Sequence, residues 1–466
     1  MDLTQTQNKE SFLAYHGGMF SALLPFLLFV GGVIAIALSG APDERGFWPI
    51  LIFALGLGLV LCKDRTKYSE VVISGMSEKI VMIMITAWIL ASIIGVLMTL
   101  TGFVDALLWL SHLVQLTGTG FTVATFIICC VVSLSTGSSF ATILICTPIF
   151  YPTGGVMGAC LPALAGAIIG GATFGDFIAP ISDTTISSAL SQEAVIGDTV
   201  RSRIPLIMPA VIVALIAYWL IGSLYSMPPS GLDHANQGDP RGLPMLLIPA
   251  FIIFLFLKGK HLLHGLLSGV LAGTALGLML GLLSWSDVLS LDLDNFVAKS
   301  FIIDGINRAV GLSIFTILLM GLVATLKASG MMQRLVHLAT ARSHTARQAE
   351  GWIIAVMSGA VLLTTHSIVA ILMVKDFTKS TGEKLKISST RRANLLSLVA
   401  CIYPFILPYF IPVILMANMT NTGEDFSIPP VSPLDVGLHN FMSWGLLLVT
   451  LLTLVIGWRN KRGAKE

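Results

Sequence analysis

The sequence predicts an all-α polytopic membrane protein: an inverted repeat of about ten transmembrane helices plus two re-entrant hairpins, with two of the helices broken. Three observations carry this. Of 466 residues, 55% are hydrophobic and only 11% are charged, where an average soluble domain carries about a quarter. Apolar runs near the roughly 20 residues that span a bilayer recur from Met19 to Trp458. The loop charges then sort by side once these runs are counted as crossings. An ordinary soluble enzyme is excluded.

Formal net charge is only +2, from 27 Lys and Arg against 25 Asp and Glu, and it points to no nucleic-acid partner. The six cysteines (Cys62, Cys129, Cys130, Cys146, Cys160 and Cys401) lie in or beside apolar runs and read as small buried hydrophobes. Residues 1–18 are polar with few charges and lack the pattern of a secretory signal, so the first apolar run is expected to stay as a span.

In chain order, the clearest spans are about 19–38, 47–62, 80–100, 203–226, 244–257, 262–283, 309–326 and 440–458. Two apolar segments, 121–150 and 354–377, carry a polar knot in the middle, Ser135-Thr-Gly-Ser-Ser139 and Thr364-Thr-His-Ser367, and are expected to be re-entrant hairpins. Segments 160–198 and 395–417 are expected to be broken helices. The first is interrupted at Gly175-Asp176 and Pro180, the second by Pro404, Pro408 and Pro412.

Parity tests this reading, because a hairpin that enters and leaves by one face does not flip the chain. With two hairpins and ten spans, 23 of the 27 Lys and Arg fall on one side. They include Lys9, the 63–79 group, Arg201 and Arg203, Lys327 to Arg347, the Lys375–Arg392 run, and Arg459 to Lys465. The other side keeps Arg45, Arg241, Lys299 and Arg308 with the acidic loops around Asp233, Asp287, Asp294 and Asp425. Both termini are therefore expected in the cytoplasm, with the protein in the cell (inner) membrane.

An internal repeat supports the same plan. Gly102–Trp109 and Gly330–Leu338 lie about 228 residues apart, as do Ala141–Ile145 and Val369–Met373. The chain accordingly divides into a first half, 1–226, an inter-repeat loop, 227–243, and a second half, 244–466. An odd number of crossings per half would invert one copy against the other, the usual ground plan of secondary transporters.

The most informative stretch is Gly170-Gly-Ala-Thr-Phe-Gly-Asp-Phe-Ile-Ala-Pro-Ile-Ser-Asp-Thr-Thr-Ile186, which sets Asp176 and Asp183 in an otherwise uncharged segment from Ala106 to Gln192. An aspartate at the centre of a membrane helix costs about 2.5–3.5 kcal/mol on insertion scales. A bound cation, a proton, or a distant basic residue must offset it. Burial favours the protonated carboxyl and a nearby cation the ionised one, so cation and proton compete. Gly175 and Pro180 are expected to stop the helix near Asp176, while Ser182-Asp183-Thr184 reads as the cap of a second half-helix. Thr173, Asp176, Ser182, Asp183 and Thr184 then offer oxygen ligands suited to a hard cation such as Na⁺.

The hairpin tips, Thr136, Ser138 and Ser139 in the first and Thr364, Thr365, His366 and Ser367 in the second, are candidate ion or substrate contacts. Small hydroxyl residues at a tip also serve close packing alone. His366 is the unusual member, since imidazole changes charge near neutrality. The basic run Lys375–Arg392 reads as a topology signal, with lipid headgroup contact a secondary role.

At Gly171-Ala-Thr-Phe-Gly-Asp176, Pro180-Ile-Ser-Asp183-Thr-Thr and the Ser135–Ser139 tip, the chain resembles the NhaC-type sodium/proton antiporter family. The resemblance implies the ion-transporter fold, a homodimer, an inner-membrane antiporter, and cation binding at Asp176, Ser182, Asp183 and Thr184. The second half departs from the family's pattern. At the repeat offset Asp176 corresponds to Pro404 and Asp183 to Ile411, so an apolar wall faces the acidic one.

The leading expectation is a Na⁺/H⁺ antiporter working by alternating access, with Na⁺ as cargo and no cofactor. The alternative is a Na⁺- or H⁺-coupled carrier of a small organic acid or amino acid. No phosphate loop, metal triad or Ser/His/Asp order suggests an enzyme.

Overall fold

A computed structural model describes residues 12–38, 44–113, 117–226, 239–258, 260–293, 296–331 and 345–456. Several expectations fall outside these residues: Lys9, Arg334, Arg342, Arg459, Lys461, Arg462 and Lys465 among the sorted charges, Asp233 and Asp294, part of the Gly330–Leu338 comparison, and most of the inter-repeat loop.

The chain is a multi-pass helical membrane protein. α1 (Met19–Leu38), α2 (Phe47–Leu61), α3 (Arg65–Met76), α4 (Lys79–Leu100) and α5 (Phe103–Leu113) lead to the first helical hairpin, α6 (Gly118–Thr136) and α7 (Ser139–Val156). The first interrupted helix follows as α8 (Leu161–Ile178) and α9 (Asp183–Ser191), then α10 (Ile196–Tyr225), α11 (Leu247–Leu257), α12 (Leu262–Met279) and a single turn, α13 (Trp285–Val288). A two-stranded antiparallel ribbon, β1 (Ser290–Asp292) with β2 (Val297–Lys299), is a small addition to the all-α expectation. The remainder is α14 (Phe301–Ala328), the second hairpin α15 (Ala346–Thr364) and α16 (Ser367–Lys384), the second interrupted helix α17 (Ser389–Ala400) and α18 (Ile411–Met419), α19 (Pro433–Leu438) and α20 (Phe441–Ile456).

Among the described residues, seven stretches are long and apolar enough to cross a bilayer, α4, α10, α14 and the α8–α9 unit among them, and four shorter apolar helices accompany them. The interior is formed by α4 on α14, α6 on α8 and α10 on α20. α4 is apolar on every side because it is central, burying Trp88, Ala91, Leu97 and Met98. Outward faces are apolar too: Ile204, Met208, Ile212, Ile216 and Trp219 of α10 are exposed, a surface that lipid rather than water solvates. The segment with Arg65 and Lys67, expected as loop, is the short helix α3, whose N-cap Asp64 accepts the Lys67 N–H at 3.0 Å.

Both hairpins turn on two residues. α6 ends on Gly137 in the left-handed region (φ +65°), and Ser138 caps α7 by accepting the Ala141 N–H at 3.3 Å. α15 ends on Thr365, a β-branched residue at φ +52°, where strain is stored in the turn. The helices reach beyond the expected 121–150 and 354–377, because N-cap threonines Thr117 and Thr345 start them earlier.

Element boundaries recur at the 228-residue spacing seen in the sequence. α6 starts at 118 and α15 at 346, α7 at 139 and α16 at 367, α8 at 161 and α17 at 389, α9 at 183 and α18 at 411. The breaks differ in length. The first spans residues 179–182, while the second spans 401–410 around a 3₁₀ turn, Tyr403–Phe405. α8 ends at Ile178, two residues past Asp176; Gly175 serves close approach to Ser133 of α6, and Pro180, lying in the break, removes no helical hydrogen bond.

Candidate functional site

The tips of both hairpins and both helix breaks meet at one cavity of about 590 Å³, its open mouth included. Ser138, Ser139, Asp176, Asp183 and Thr184 line it from the first half, and Thr365, His366 and Ser367 from the second. Pro404, Phe405, Ile411 and Pro412 of the second break give the cavity an apolar part of its lining.

Asp176, in the last turn of α8, is 8% exposed. Its Oδ2 accepts the Ser139 hydroxyl at 2.6 Å and its Oδ1 the Ser139 backbone N–H at 3.2 Å, with the Ser182 hydroxyl 3.4 Å away. The carboxylate therefore closes the N-terminus of α7, where unpaired amides and the helix dipole favour negative charge. Its backbone carbonyl, left free at the end of α8, accepts the Thr184 hydroxyl at 2.6 Å, with those of Ser182 and Thr185 at 3.2 and 3.4 Å. The hydroxyls of α9 thus substitute for the helical N–H groups that the break removes.

Asp183 is the first residue of α9 and is exposed where it lines the cavity, contrary to the expectation of two deeply buried carboxylates. The break swings it out to the cavity surface while α8 keeps Asp176 inside. Ser182 occupies the N-cap position of α9 but makes no capping bond, because its hydroxyl is turned to Asp176 and to Thr184 Oγ1 at 2.9 Å. Among the described residues, no ion pair joins either aspartate to Lys or Arg.

Four sequence candidates do not line the cavity. Thr173 bonds Ile169 O within its own helix (2.8 Å) and receives the side-chain amide of Asn440 at 3.3 Å, one helical turn further from the break than Asp176. Thr136 and Thr364 turn back into their hairpins. Ser182 is fully buried behind Asp176. No cluster of three or more His, Cys, Asp or Glu stands together among the described residues.

Arg203 is the residue that sequence reasoning misplaced. Counted there among the cytoplasmic charges at the very start of the 203–226 span, it is fully buried in α10 and donates to Phe177 O (2.6 Å), Thr185 Oγ1 (2.8 Å), Ser188 Oγ (3.0 Å) and Asn394 Oδ1 (2.9 Å). Its guanidinium also lies 5.1 Å from the centre of the Phe177 ring. One side chain thereby ties the end of α8, the start of α9 and α17 of the second half together. The available signal was helical spacing: Thr199, Arg203, Leu206, Ala210, Ala214 and Tyr218 share the buried face of α10. Arg391 and Arg392, read as topology charges, are also buried. Arg391 pairs with Glu350 at 2.8 Å, and Arg392 donates to Gln192 Oε1 at 3.1 Å.

The family match falls on the half that carries the aspartates. The model of the "Na+/H+ antiporter family" matches residues 20–223. The chain is 31% identical over 147 residues to a malate-2H(+)/Na(+)-lactate antiporter of Bacillus subtilis, covering 30% of this chain and 31% of that protein. It is 34% identical over 80 residues to the Na(+)/H(+) antiporter NhaC of the same organism, covering 17% and 18%. These alignments span less than a third of the curated relatives. Over residues 20–223 the chain is therefore similar to the Na⁺/H⁺ antiporter family.

Proposed function

We propose that this protein is a secondary antiporter in which Na⁺ and protons compete for Asp183 and Asp176. The observation that carries this is a buried carboxylate, Asp176, held by neutral hydrogen bonds alone beside an exposed one, Asp183, in a cavity that both hairpin tips and both breaks share. A cation entering the cavity meets Asp183 first. Asp176, anchored through Ser139, and the lone pairs of Ser138 and Thr184 supply further oxygens as water is shed. Protonation removes the charge that retains Na⁺, so each species displaces the other. The 228-residue recurrence of helix boundaries supports an inverted repeat whose halves move against each other around this cavity. Loop charge supports cytoplasmic termini in the cell membrane, and we take the transporting unit to be a homodimer.

In proteoliposomes, added Na⁺ is expected to dissipate an imposed pH gradient, and Asp183→Asn to abolish this. Unchanged exchange in that variant refutes the assignment. A second reading, exchange of Na⁺ or protons with a small organic acid, is favoured by the apolar wall of Pro404, Phe405, Ile411 and Pro412 and by the matched relative named for malate and lactate.

A further inference from the structure

The two hairpin tips are built alike but satisfied differently. At the first, the Thr136 hydroxyl reaches Ser138 O at 3.4 Å and the Thr142 N–H bonds the same oxygen at 3.1 Å. At the second, 228 residues on, the Thr364 hydroxyl reaches His366 O at 3.2 Å and the Ala370 N–H bonds it at 3.0 Å. What does not recur is the carboxylate. Asp176 holds the Ser139 N–H at the N-terminus of α7, whereas the equivalent position facing α16 is Pro404, which has neither charge nor acceptor side chain. The Ser367 hydroxyl, in place of the Ser139 contact to Asp176, donates to Ala400 O at 3.0 Å.

The second tip is consequently left with an unused backbone N–H and an unpaired ring nitrogen. Among the described residues no acceptor reaches the Ser367 N–H, and the Nδ1 of His366, itself sealed from solvent, has no partner. Both residues line the cavity. A helix N-terminus with free amides attracts an anion, and a buried polar atom without a partner is destabilising until one arrives.

We infer that the carboxylate of a small organic anion fills this place, bound at the N-terminus of α16 by the Ser367 N–H and His366 as Asp176 is bound at the N-terminus of α7. The anion's hydrocarbon portion packs on Pro404, Phe405, Ile411 and Pro412. This rests on the cavity being the transport site and names the substrate class of its second half. A cation at Asp183 and an anion at Ser367 then share one cavity, so each strengthens the binding of the other by the same factor.

The test is calorimetric titration of the purified full-length protein with acetate and with succinate, in Na⁺ or in choline, beside Na⁺, chloride and inorganic phosphate alone. Saturable carboxylate binding that tightens in Na⁺, weakens about tenfold or more in His366→Leu and disappears in Pro404→Asp, where the protein supplies its own carboxylate, supports the inference. Each variant is scored only when it elutes as wild type on size exclusion, and His366→Leu suffices if Pro404→Asp does not fold. Na⁺ binding without carboxylate binding overturns the inference and leaves the antiport reading standing. Carboxylate binding that does not respond to Na⁺ overturns the shared-cavity inference, and if Na⁺ itself does not bind it sinks antiport as well. Equal binding of chloride or phosphate, or undiminished binding in His366→Leu, also overturns it.

Discussion

Replacing Arg203 with methionine keeps most of the aliphatic bulk and removes four hydrogen bonds at the first helix break. Two of the acceptors can adapt. Ser188 already donates to Thr185 O at 3.0 Å, and the Thr185 hydroxyl lies 3.4 Å from Asp176 O, so both hydroxyls keep a partner. The other two cannot. Phe177 O and Asn394 Oδ1 lose the guanidinium at 2.6 and 2.9 Å, and Asn394 is only 3% exposed, so water does not replace it. Each orphaned acceptor costs about 1–3 kcal/mol, or about 2–6 kcal/mol together. Against this stands relief from burying a charge, which can reach several kcal/mol. Four well-placed bonds have already offset that burial, so the orphaned acceptors decide the sign and the net loss is expected near the lower end, about 2 kcal/mol. Arg203→Lys, which keeps the charge without the planar fork, should fall between. The assay is denaturant unfolding in detergent followed by tryptophan fluorescence. A methionine variant as stable as wild type, or more stable, refutes the role of Arg203 as the tie between α8, α9 and α17.

Other perturbations address neighbouring parts of the site. Gly175→Ala places a Cβ against the backbone and side chain of Ser133, which cannot yield; about 1–3 kcal/mol of stability should be lost, whereas Gly197→Ala, with nothing within 4 Å of its Cβ, should be tolerated in the same unfolding assay. Ser139→Ala removes the 2.6 Å bond to Asp176 and should cost about 1.5–3 kcal/mol, with Ser139→Thr restoring most of it. At the exposed turn after α9, the Lys379 ammonium 2.5 Å away holds the Glu193 carboxyl below its ordinary 4.5. A depressed folded-state value means that this contribution is complete above 4.5 and is lost as pH falls through the folded-state value. Glu193→Gln should therefore lack that part of the acid sensitivity in unfolding midpoints compared between neutral and acid buffer, and the difference should be small because both groups face solvent.

Several elements were legible because local chemistry decides them. Gly137 permits the left-handed end of α6, Pro180 marks the first break, and Pro404 and Pro408 lie within the second while Pro412 opens α18. Each follows from what a single residue does to its own backbone. Arg203 shows where this stops. A cation one or two turns inside a helix that begins at a membrane face looks, in one dimension, like a topology charge. Its partner Asn394 is 191 residues away, and nothing local announces it. Thr173 fails for a related reason, since its hydroxyl is engaged by Asn440, 267 residues away.

By itself the sequence determined the solvent, the helices, the 228-residue recurrence and the presence of two aspartates in a stretch without Lys or Arg. These depend on composition and on the period of apolar residues, which act over a few turns of chain. Tertiary structure alone decided that Asp176 is clasped by Ser139, 37 residues before it, while Asp183 stands exposed in the cavity. It alone also decided that the second hairpin keeps a backbone N–H and a ring nitrogen unpaired and that a buried guanidinium closes the first break. Such contacts depend on how whole helices pack, and one set of helix faces is compatible with many pairings until close packing selects among them.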